Sequence, residues 1–471
     1  MNRMIRTLTI LGLGSFASAP AGAQFTLGDA MRQADRFAYG NRIATGSTQA
    51  TAAATLVPLK GILPSVRFEA GYVRTTDPIG VFGSTLRQRA ITPADFDPQR
   101  LNYPGAVGNY QGGIVVEQPL FNGDAWAGRH ATTRALDATK AAEEWTRIST
   151  RVDVVRAYYG AVLERERMNT LVAAARAAQA HLTQANAMVR QGLVTKSDAL
   201  LAAVRAGEVD VQLVEAEGAA FMARRQLAVL MGGDGAASVT GTELPASLPV
   251  SERIRAVVAA DTADAVPAPR ADVRAAAGGL DAAHADALRA RATLLPRLNS
   301  FARYDWNSAD RIYGGDRNWT VGVMASWSPF TGASELADVQ AATGRVTSAQ
   351  AQAEAAQAAA RLDAEQTRTA LAVALTRLTI AERGATQGVE AHRIVERKYQ
   401  GGLATVVELL DAQAVETQSA LALSQARWST IVAGAERRRA LGLDPASLAA
   451  LDGSAMLTTK SSSVPSTAVS R

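Results

Sequence analysis

Three stretches of the chain alternate apolar and polar side chains, which is the pattern of a β-strand with one apolar face. A fourth stretch, residues 111–118, alternates less cleanly and follows a long loop over about residues 75–109. Strands of about ten residues with aromatic side chains near their ends are typical of membrane barrels. A soluble β-sandwich needs more strands than these four. The apolar positions of the three clear strands are Val66, Phe68, Ala70 and Tyr72; Leu298, Ala302, Tyr304 and Trp306; and Trp319, Val321, Val323, Ala325 and Trp327.

Long helices are predicted where proline is absent, over residues 124–191 and again over residues 333–400. Each would be roughly 100 Å long at 1.5 Å per residue. The first carries apolar side chains in steps of three and four, which is the rhythm of a coiled-coil seam. The rhythm resumes beyond residue 195. The seam positions before the turn are Trp145, Ile148, Val152, Val155, Tyr159 and Val162, and those after it are Leu200, Val204, Gly207, Val211, Val214, Gly218 and Phe221. The corresponding positions in the second half are Leu410, Ala414, Thr417, Leu421, Ser424, Trp428 and Ile431.

The chain repeats one plan after about 210 residues. Gly192-Leu193-Val194-Thr195 corresponds to Gly402-Leu403-Ala404-Thr405, each followed by an acid six residues after the glycine. A Leu-Pro pair opens a predicted strand in both halves, at Leu63 and at Leu295. Each half is therefore predicted to end in a long helical hairpin whose tip is the Gly-Leu-x-Thr turn. Glycine fits the left-handed position that ends a helix, and threonine fits the N-cap of the next one.

The N-terminus has the features of a secretory signal over residues 1–23. Arg3 and Arg6 precede an apolar run that is too short to span a bilayer, and Ala21-Gly22-Ala23 forms a small-residue cleavage site. An uncleaved membrane anchor is the alternative. No later stretch offers 18 apolar residues in a row. The chain is therefore expected in the periplasm, outside the cell, or in the outer membrane as a β-barrel.

Composition narrows the function classes. Of the 471 residues 48% are hydrophobic, so a disordered chain is excluded. There are no cysteines, and the four histidines lack metal-ligand spacing, so neither a metal site nor a cofactor is expected. The basic residues are scattered rather than clustered, which argues against nucleic-acid binding. An enzyme is disfavoured because the nucleophile, phosphate-loop and metal motifs are missing. A structural periplasmic coiled coil without a pore is the other alternative, and the alternating strands argue against it.

Four strands cannot close a barrel, because about eight strands form the smallest natural one. Open sheet edges are not tolerated in lipid, so several chains must pool their strands. Three chains would supply twelve strands and twelve helical segments. The sequence thus predicts a mostly α-helical chain whose four strands join a trimeric 12-stranded β-barrel, continued by a long α-helical coiled-coil barrel.

These features together resemble the outer-membrane factor (TolC) family over nearly all of the mature chain. The paired Gly-Leu-x-Thr tips, the duplicated Leu-Pro strands and Gln118-Pro119-Leu120-Phe121-Asn122-Gly123 carry the resemblance. It implies a homotrimeric exit duct in the outer membrane of a Gram-negative bacterium, with a large periplasmic portion. Its implied partners are outer-membrane lipid, a periplasmic adaptor protein and an inner-membrane pump, of the resistance-nodulation-division type in an efflux system. Both small-molecule efflux and type I protein secretion use such ducts.

The resemblance also assigns roles at the tips. It places Glu408 and Asp411 at the periplasmic aperture, where three copies of each would form a carboxylate ring with raised pKa values. Ordinary solvated helix acids are the alternative. It places Asp198 and Tyr399 in a contact that closes the gate. The arginine that often assists this contact is replaced by Ala404, so the charged part of the contact is either missing or supplied by Lys196 or Arg397. The residues implied in adaptor contact are Gly192, Leu193, Thr195, Gly402, Leu403 and Thr405.

The predicted organisation has five parts. A signal peptide is followed by a first repeat with strands at about 64–75 and 110–120 and a hairpin over 124–231. After a linker comes a second repeat with strands at about 296–306 and 318–328 and a hairpin over 333–441. The part boundaries are 1–23, 24–231, 232–269, 270–441 and, for a C-terminal segment and tail, 442–471.

Overall fold

The computed structural model describes residues 25–233, 243–260 and 269–452. The predicted signal peptide (1–23) lies outside these residues, as do the greater part of the predicted tail (442–471) and parts of the predicted linker.

The chain forms two compact units, each assembled from separate stretches of sequence. The first, here called the tip unit, contains the described parts of Met1–Arg42, Arg147–Ala268 and Ala364–Arg471. The second, the strand unit, contains Ile43–Thr146 and Pro269–Asp363. The two halves of the sequence therefore contribute to both units.

The order of elements repeats between the two halves of the chain. In the first half the elements are α1 (Leu27–Phe37), α2 (Tyr39–Ala54), β1 (Ser65–Thr75), α3 (Pro78–Arg87), α4 (Pro98–Asn102), β2 (Val107–Phe121), α5 (Gly123–Arg190) and α6 (Lys196–Leu230). In the second half they are α7 (Ser251–Ala260), α8 (Ala271–Ala292), β3 (Arg297–Ser308), β4 (Asp316–Ser326), α9 (Ser334–Gln400) and α10 (Val406–Ala440). Short 3-10 helices lie at Val57–Gly61, Pro93–Phe96 and Pro445–Asp452.

The four strands form one antiparallel sheet in the order β1-β2-β3-β4. The predicted mostly helical fold with four strands is confirmed. The outer edge of β1 and the outer edge of β4 have no partner strand among the described residues. Both edges therefore present unpaired backbone amide and carbonyl groups.

One face of the sheet is apolar and uncovered. Its large side chains include Phe68 on β1, Tyr304 on β3, and Trp319 and Val321 on β4, all of which are exposed in the single chain. The pairing register places them on the same side, because Phe68 pairs with Ile114, Ile114 with Tyr304, and Tyr304 with Trp319. Contiguous exposed apolar side chains of this kind mark a surface that contacts another protein or a membrane.

Glycine explains why β2 alternates poorly in sequence. A side chain on Gly112 would place its Cβ only 2.3 Å from the indole ring of Trp306, the residue paired with it on β3. The apolar surface at this position is thus supplied by the neighbouring strand.

The predicted loop between β1 and β2 contains two short helices. Asp77 caps α3 by accepting a hydrogen bond from the Gly80 amide at 2.7 Å, and Asp97 caps α4 through the Gln99 amide at 3.0 Å. Both helices begin at a proline, whose fixed φ angle favours the first helical turn. Local capping by an Asp-Pro pair therefore starts each short helix in this segment, whose sequence shows no extended hydrophobic periodicity.

The tip unit has an apolar core built on α5. The predicted seam residues Val152, Val155, Tyr159 and Val162 are all buried in it. On α6, by contrast, the predicted seam residues point away from the chain, and the buried positions are mostly alanines. The exposed seam residues of α6, here called the α6 stripe, are Leu200, Val204, Val211, Val214 and Phe221.

A partly buried carboxylate joins the two ends of the described chain. Asp452 accepts hydrogen bonds from the Leu27 amide at 2.7 Å and from the Tyr159 hydroxyl at 2.8 Å. Tyr158 donates to the Phe25 carbonyl at 2.7 Å. Burial raises the pKa of Asp452 above its usual value, although the hydrogen bonds from the Leu27 amide and the Tyr159 hydroxyl partly oppose the shift.

Replacing Tyr159 with Phe should destabilise the tip unit by about 1.5–3 kcal/mol, because a buried carboxylate loses a hydrogen-bond donor. Since the folded pKa of Asp452 is raised, the folded state binds more protons, and stability falls as pH rises from 3.8 through the folded value. Losing the Tyr159 donor should raise that pKa further and extend the fall to higher pH. Thermal melting across pH in detergent measures both effects. Tyr39→Phe, at an exposed hydroxyl, is the control, and equal melting curves for the two variants would contradict the assignment.

Candidate functional site at the hairpin tips

The two tips end their first helices in the same way. Gly192 and Gly402 have φ angles of +73° and +71°, which favour glycine. The Leu193 amide donates to the Met188 carbonyl at 2.9 Å, and the Leu403 amide donates to the Lys398 carbonyl at 2.8 Å. Together with the bonds from the glycine amides, these form a Schellman motif that satisfies the last helical carbonyls.

The returning helices also begin in the same way. Thr195 and Asp198 form a capping box at the start of α6, and Thr405 and Glu408 form one at the start of α10. In each box the threonine hydroxyl accepts from the backbone amide three residues later, and the acid accepts from the threonine amide. The sequence repeat is therefore a repeat of local hydrogen bonds.

A small apolar cluster holds the two tips together within the tip unit. Tyr399 is buried at its centre, and its hydroxyl donates to the sulfur of Met188 at 3.2 Å. Small residues from α5 and α6 allow α10 to approach closely. The other buried members are Ala185, Ala199, Ala202, Val406, Leu409 and Leu410.

The predicted gate pair, Asp198 and Tyr399, is close enough to interact electrostatically but forms no hydrogen bond within one chain. The Asp198 carboxylate binds the Thr195 amide at 3.0 Å and hydroxyl at 2.8 Å. Burial, and then the negative charge of Asp198, raises the pKa of Tyr399. Both side chains thus have other partners in the single chain.

The predicted aperture acids lie on the exposed side of α10. The Thr405 amide and hydroxyl hold the pKa of Glu408 below its usual value, and Lys398 adds to this effect. Asp411 is 61% exposed and lies 3.8 Å from Arg205 of α6. In one chain, therefore, the capping hydrogen bonds favour the ionised form of Glu408, and Arg205 from the other hairpin faces Asp411.

The predicted adaptor-contact residues form the ends of the tips. The side chains of Leu193 and Leu403 are 65% and 82% exposed. A Cβ added to Gly192 or Gly402 would meet nothing within 4 Å, so both tips are open to solvent. Each tip therefore exposes one apolar leucine side chain to solvent on a tight turn.

The sequence of the chain matches that of a known protein family. The sequence profile of the outer membrane efflux proteins matches residues 60–233 and 264–443, which together make up most of the chain. The chain belongs to the outer membrane efflux protein family. The two matched segments follow the internal repeat predicted from the sequence. As a member of this family, the protein is an efflux channel of the outer membrane.

Solved structures share the fold of this efflux protein. The outer membrane protein VceC of Vibrio cholerae has a TM-score of 0.72 at 19% identity, covering 89% of this chain and 96% of its own. The CmeC outer membrane channel of Campylobacter jejuni has a TM-score of 0.73 at 16% identity, covering 94% of both chains. The MtrE outer membrane channel of Neisseria gonorrhoeae has a TM-score of 0.69 at 18% identity and covers 90% of both. Comparison with curated sequences gives no significant match.

Three side-chain contacts of the efflux protein near the tips were not predicted from the sequence. Arg205 links to Glu208 on its own helix at 2.9 Å as well as facing Asp411. The His392 ring of α9 lies within hydrogen-bond distance of the Glu416 carboxylate of α10. The spacing of Arg205 and Glu208 along α6 was a usable signal. No sequence pattern relates residues on different helices, so the other pairings required coordinates.

Neither a metal site nor a membrane helix is found in the described part of the chain. No group of three or more histidine, aspartate or glutamate side chains there is placed to hold a metal ion. None of the helices in the same residues is both long and apolar enough to cross a membrane.

Thr405→Ala should loosen the second tip by about 1 kcal/mol, because the first turn of α10 loses its side-chain cap. Hydrogen exchange of the backbone amides at the start of α10 should accelerate by about fivefold. Thr417→Ala is the matched control, since the Thr417 hydroxyl bonds only a carbonyl inside the same helix. If both variants exchange alike, the capping box does not hold the tip.

Proposed function

We propose that three copies of this chain form a passive exit duct that carries small molecules through the outer membrane as part of a tripartite efflux system. The observation that carries the proposal is the four-stranded sheet, with its two open edges and its uncovered apolar face. In lipid, unpaired backbone groups cost several kcal/mol each, so the edges must pair. Pairing β1 of one chain with β4 of the next closes twelve strands from three chains.

The strand lengths and the apolar face support membrane placement. β1 and β4 have 11 residues each, which is close to the roughly 9–11 that a tilted membrane strand needs. With Phe68, Trp319 and Val321 turned to the lipid, the opposite and more polar face lines the lumen.

The α6 stripe supports association of the helical portions. Apolar side chains at helical spacing, left exposed by one chain, are expected to pack against a neighbouring copy. A ring of such contacts would enclose a continuous helical tube. The duct itself performs no chemistry, and energy would come from an inner-membrane pump.

The tips are the proposed entrance. Three copies of Glu408 and Asp411 would surround the aperture and favour cations there. Asp198 and Tyr399 would contribute to closing it, since they already lie within electrostatic reach of each other. The exposed Leu193 and Leu403, on their glycine turns, are the proposed contacts for a periplasmic adaptor, as are the neighbouring Gly192, Thr195, Gly402 and Thr405.

Cysteines placed in the two edge strands test the barrel, and the native chain contains none that would interfere. Each variant would carry one cysteine at Ala70 in β1 and a second at one position between Arg317 and Val323 in β4. At one or two of these β4 positions, disulfide-linked species of two and three chains should form. Each single-cysteine variant is the control and should give no ladder. If no β4 position links to β1, or if linked species exceed three chains, the closed trimer is excluded.

Leu403→Glu tests the docking role, because a charge at an apolar contact should weaken adaptor binding by roughly tenfold or more. Dye efflux should fall in cells that depend on this duct, while heat-stable oligomers remain in the outer membrane. Leu403→Met keeps the apolar area and should retain efflux. Normal efflux by the glutamate variant would mean that this leucine makes no essential contact.

A further inference from the structure

The middle of the polar face of the sheet carries two adjacent rows of charges across the strands, and Glu117, Arg297 and Asp316 lie on the same face outside these rows. The pairing register aligns Arg67 with Val115, and Val115 with Arg303. Two residues further along each strand, Glu69 aligns with Gly113, and Gly113 aligns with Asp305. A row with two arginines therefore lies beside a row with two carboxylates. Residues two apart on a strand are about 7 Å apart, which separates the two rows.

Ion pairs connect the rows. Arg303 lies 2.7 Å from Asp305 and 3.4 Å from Glu69, and Arg67 lies 3.6 Å from Glu69. All four side chains keep part of their surface accessible, and Arg67 is 61% exposed. The cluster is thus balanced in charge and still available to solutes.

Gly113 makes room for the acidic row. A Cβ on Gly113 would lie 2.5 Å from Oδ1 of Asp305, so the carboxylate occupies the space that a larger residue would fill. The absence of a side chain at the centre of the row lets Asp305 lie across β2. This is a second reason for the break in the alternation of β2.

The segment between β1 and β2 partly covers the rows. Leu86 and Arg87 of α3 line the same hollow as Glu69, Arg303 and Asp305. α3 is held near the sheet because the adjacent Gln88 donates to the Gly108 carbonyl at 3.0 Å and to the Asn109 side chain at 2.8 Å. Asn109 in turn donates to Asn307 at 2.8 Å, and both asparagines are buried. α3 therefore covers part of the hollow that contains the charged rows.

We infer that Arg67, Glu69, Arg303 and Asp305 form a charge filter in the lumen of the barrel and set the ion selectivity of the barrel segment, whereas the carboxylates at the tips act at the aperture. The inference rests on the proposed trimeric duct, in which three chains give six arginines beside six carboxylates. While both rows are intact their fields oppose each other, so anions and cations pass with little preference. Removing one row leaves the other uncompensated.

The test compares the two neutralised rows in planar bilayers under a potassium chloride gradient. Glu69→Gln with Asp305→Asn should raise the chloride-to-potassium permeability ratio by about threefold or more, because six arginines remain unpaired. Arg67→Gln with Arg303→Gln should shift the ratio in the opposite direction. All channels also carry Glu408→Gln and Asp411→Asn, so that the carboxylates at the tips do not dominate selectivity. Arg317→Gln is the matched control, because the register places Arg317 with Trp306 on the apolar face.

The outcomes separate the filter from the duct. Opposite shifts in the two double variants, with an unchanged control, support the filter. Conducting channels whose selectivity is the same in all variants overturn it and leave the duct intact, whereas a complete lack of conductance in the unsubstituted protein overturns the duct itself. If either double variant fails to assemble, the single variant Arg67→Gln, at the longest ion pair, should still shift the ratio towards potassium. No shift in that variant would count against the filter.

Discussion

Unpaired backbone groups at the two edges of the sheet impose the main constraint on this molecule. An edge that faces water can be solvated, but an edge that faces hydrocarbon has no hydrogen-bond partner. The apolar side chains on one face, such as Phe68 and Trp319, make water an unfavourable surrounding for that face. The two facts are compatible only if another chain supplies the missing strands. The oligomer is therefore a requirement of the strands rather than an addition to a finished fold.

The helical hairpins meet a different constraint, because their tips lie in water and must end two helices within a few residues. Both tips use the same glycine turn and the same capping box, so duplicated sequence gives duplicated geometry. Their side chains then diverge in surroundings. Tyr399 of the second tip is buried among alanines of the first hairpin, while the leucine of each turn remains exposed. The exposed leucines that both turns share carry the proposed docking, and the burial of Tyr399, which belongs to the second tip alone, carries the proposed gating.

Periodicity predicted the strands and the long helices because it reports burial, which these elements follow closely. Periodicity alone did not account for β2 or for the α6 stripe. β2 alternates poorly because Gly112 and Gly113 leave their space to Trp306 and Asp305 of the next strand, a relation that only the register reveals. The α6 stripe has the period of a seam, yet period alone does not say whether the partner belongs to the same chain. Side-chain pairings between hairpins, such as Arg205 with Asp411, leave no trace in sequence spacing.

The number of chains in the particle extracted from the outer membrane is the most direct measure of whether these strands close a shared barrel. Native mass spectrometry of the protein in a mild detergent counts them without any substitution. A single species of three chains, with folded strands, is the expected result. A stable particle of one chain that retains its strands would show that the sheet edges are satisfied without neighbours, which would contradict the shared barrel.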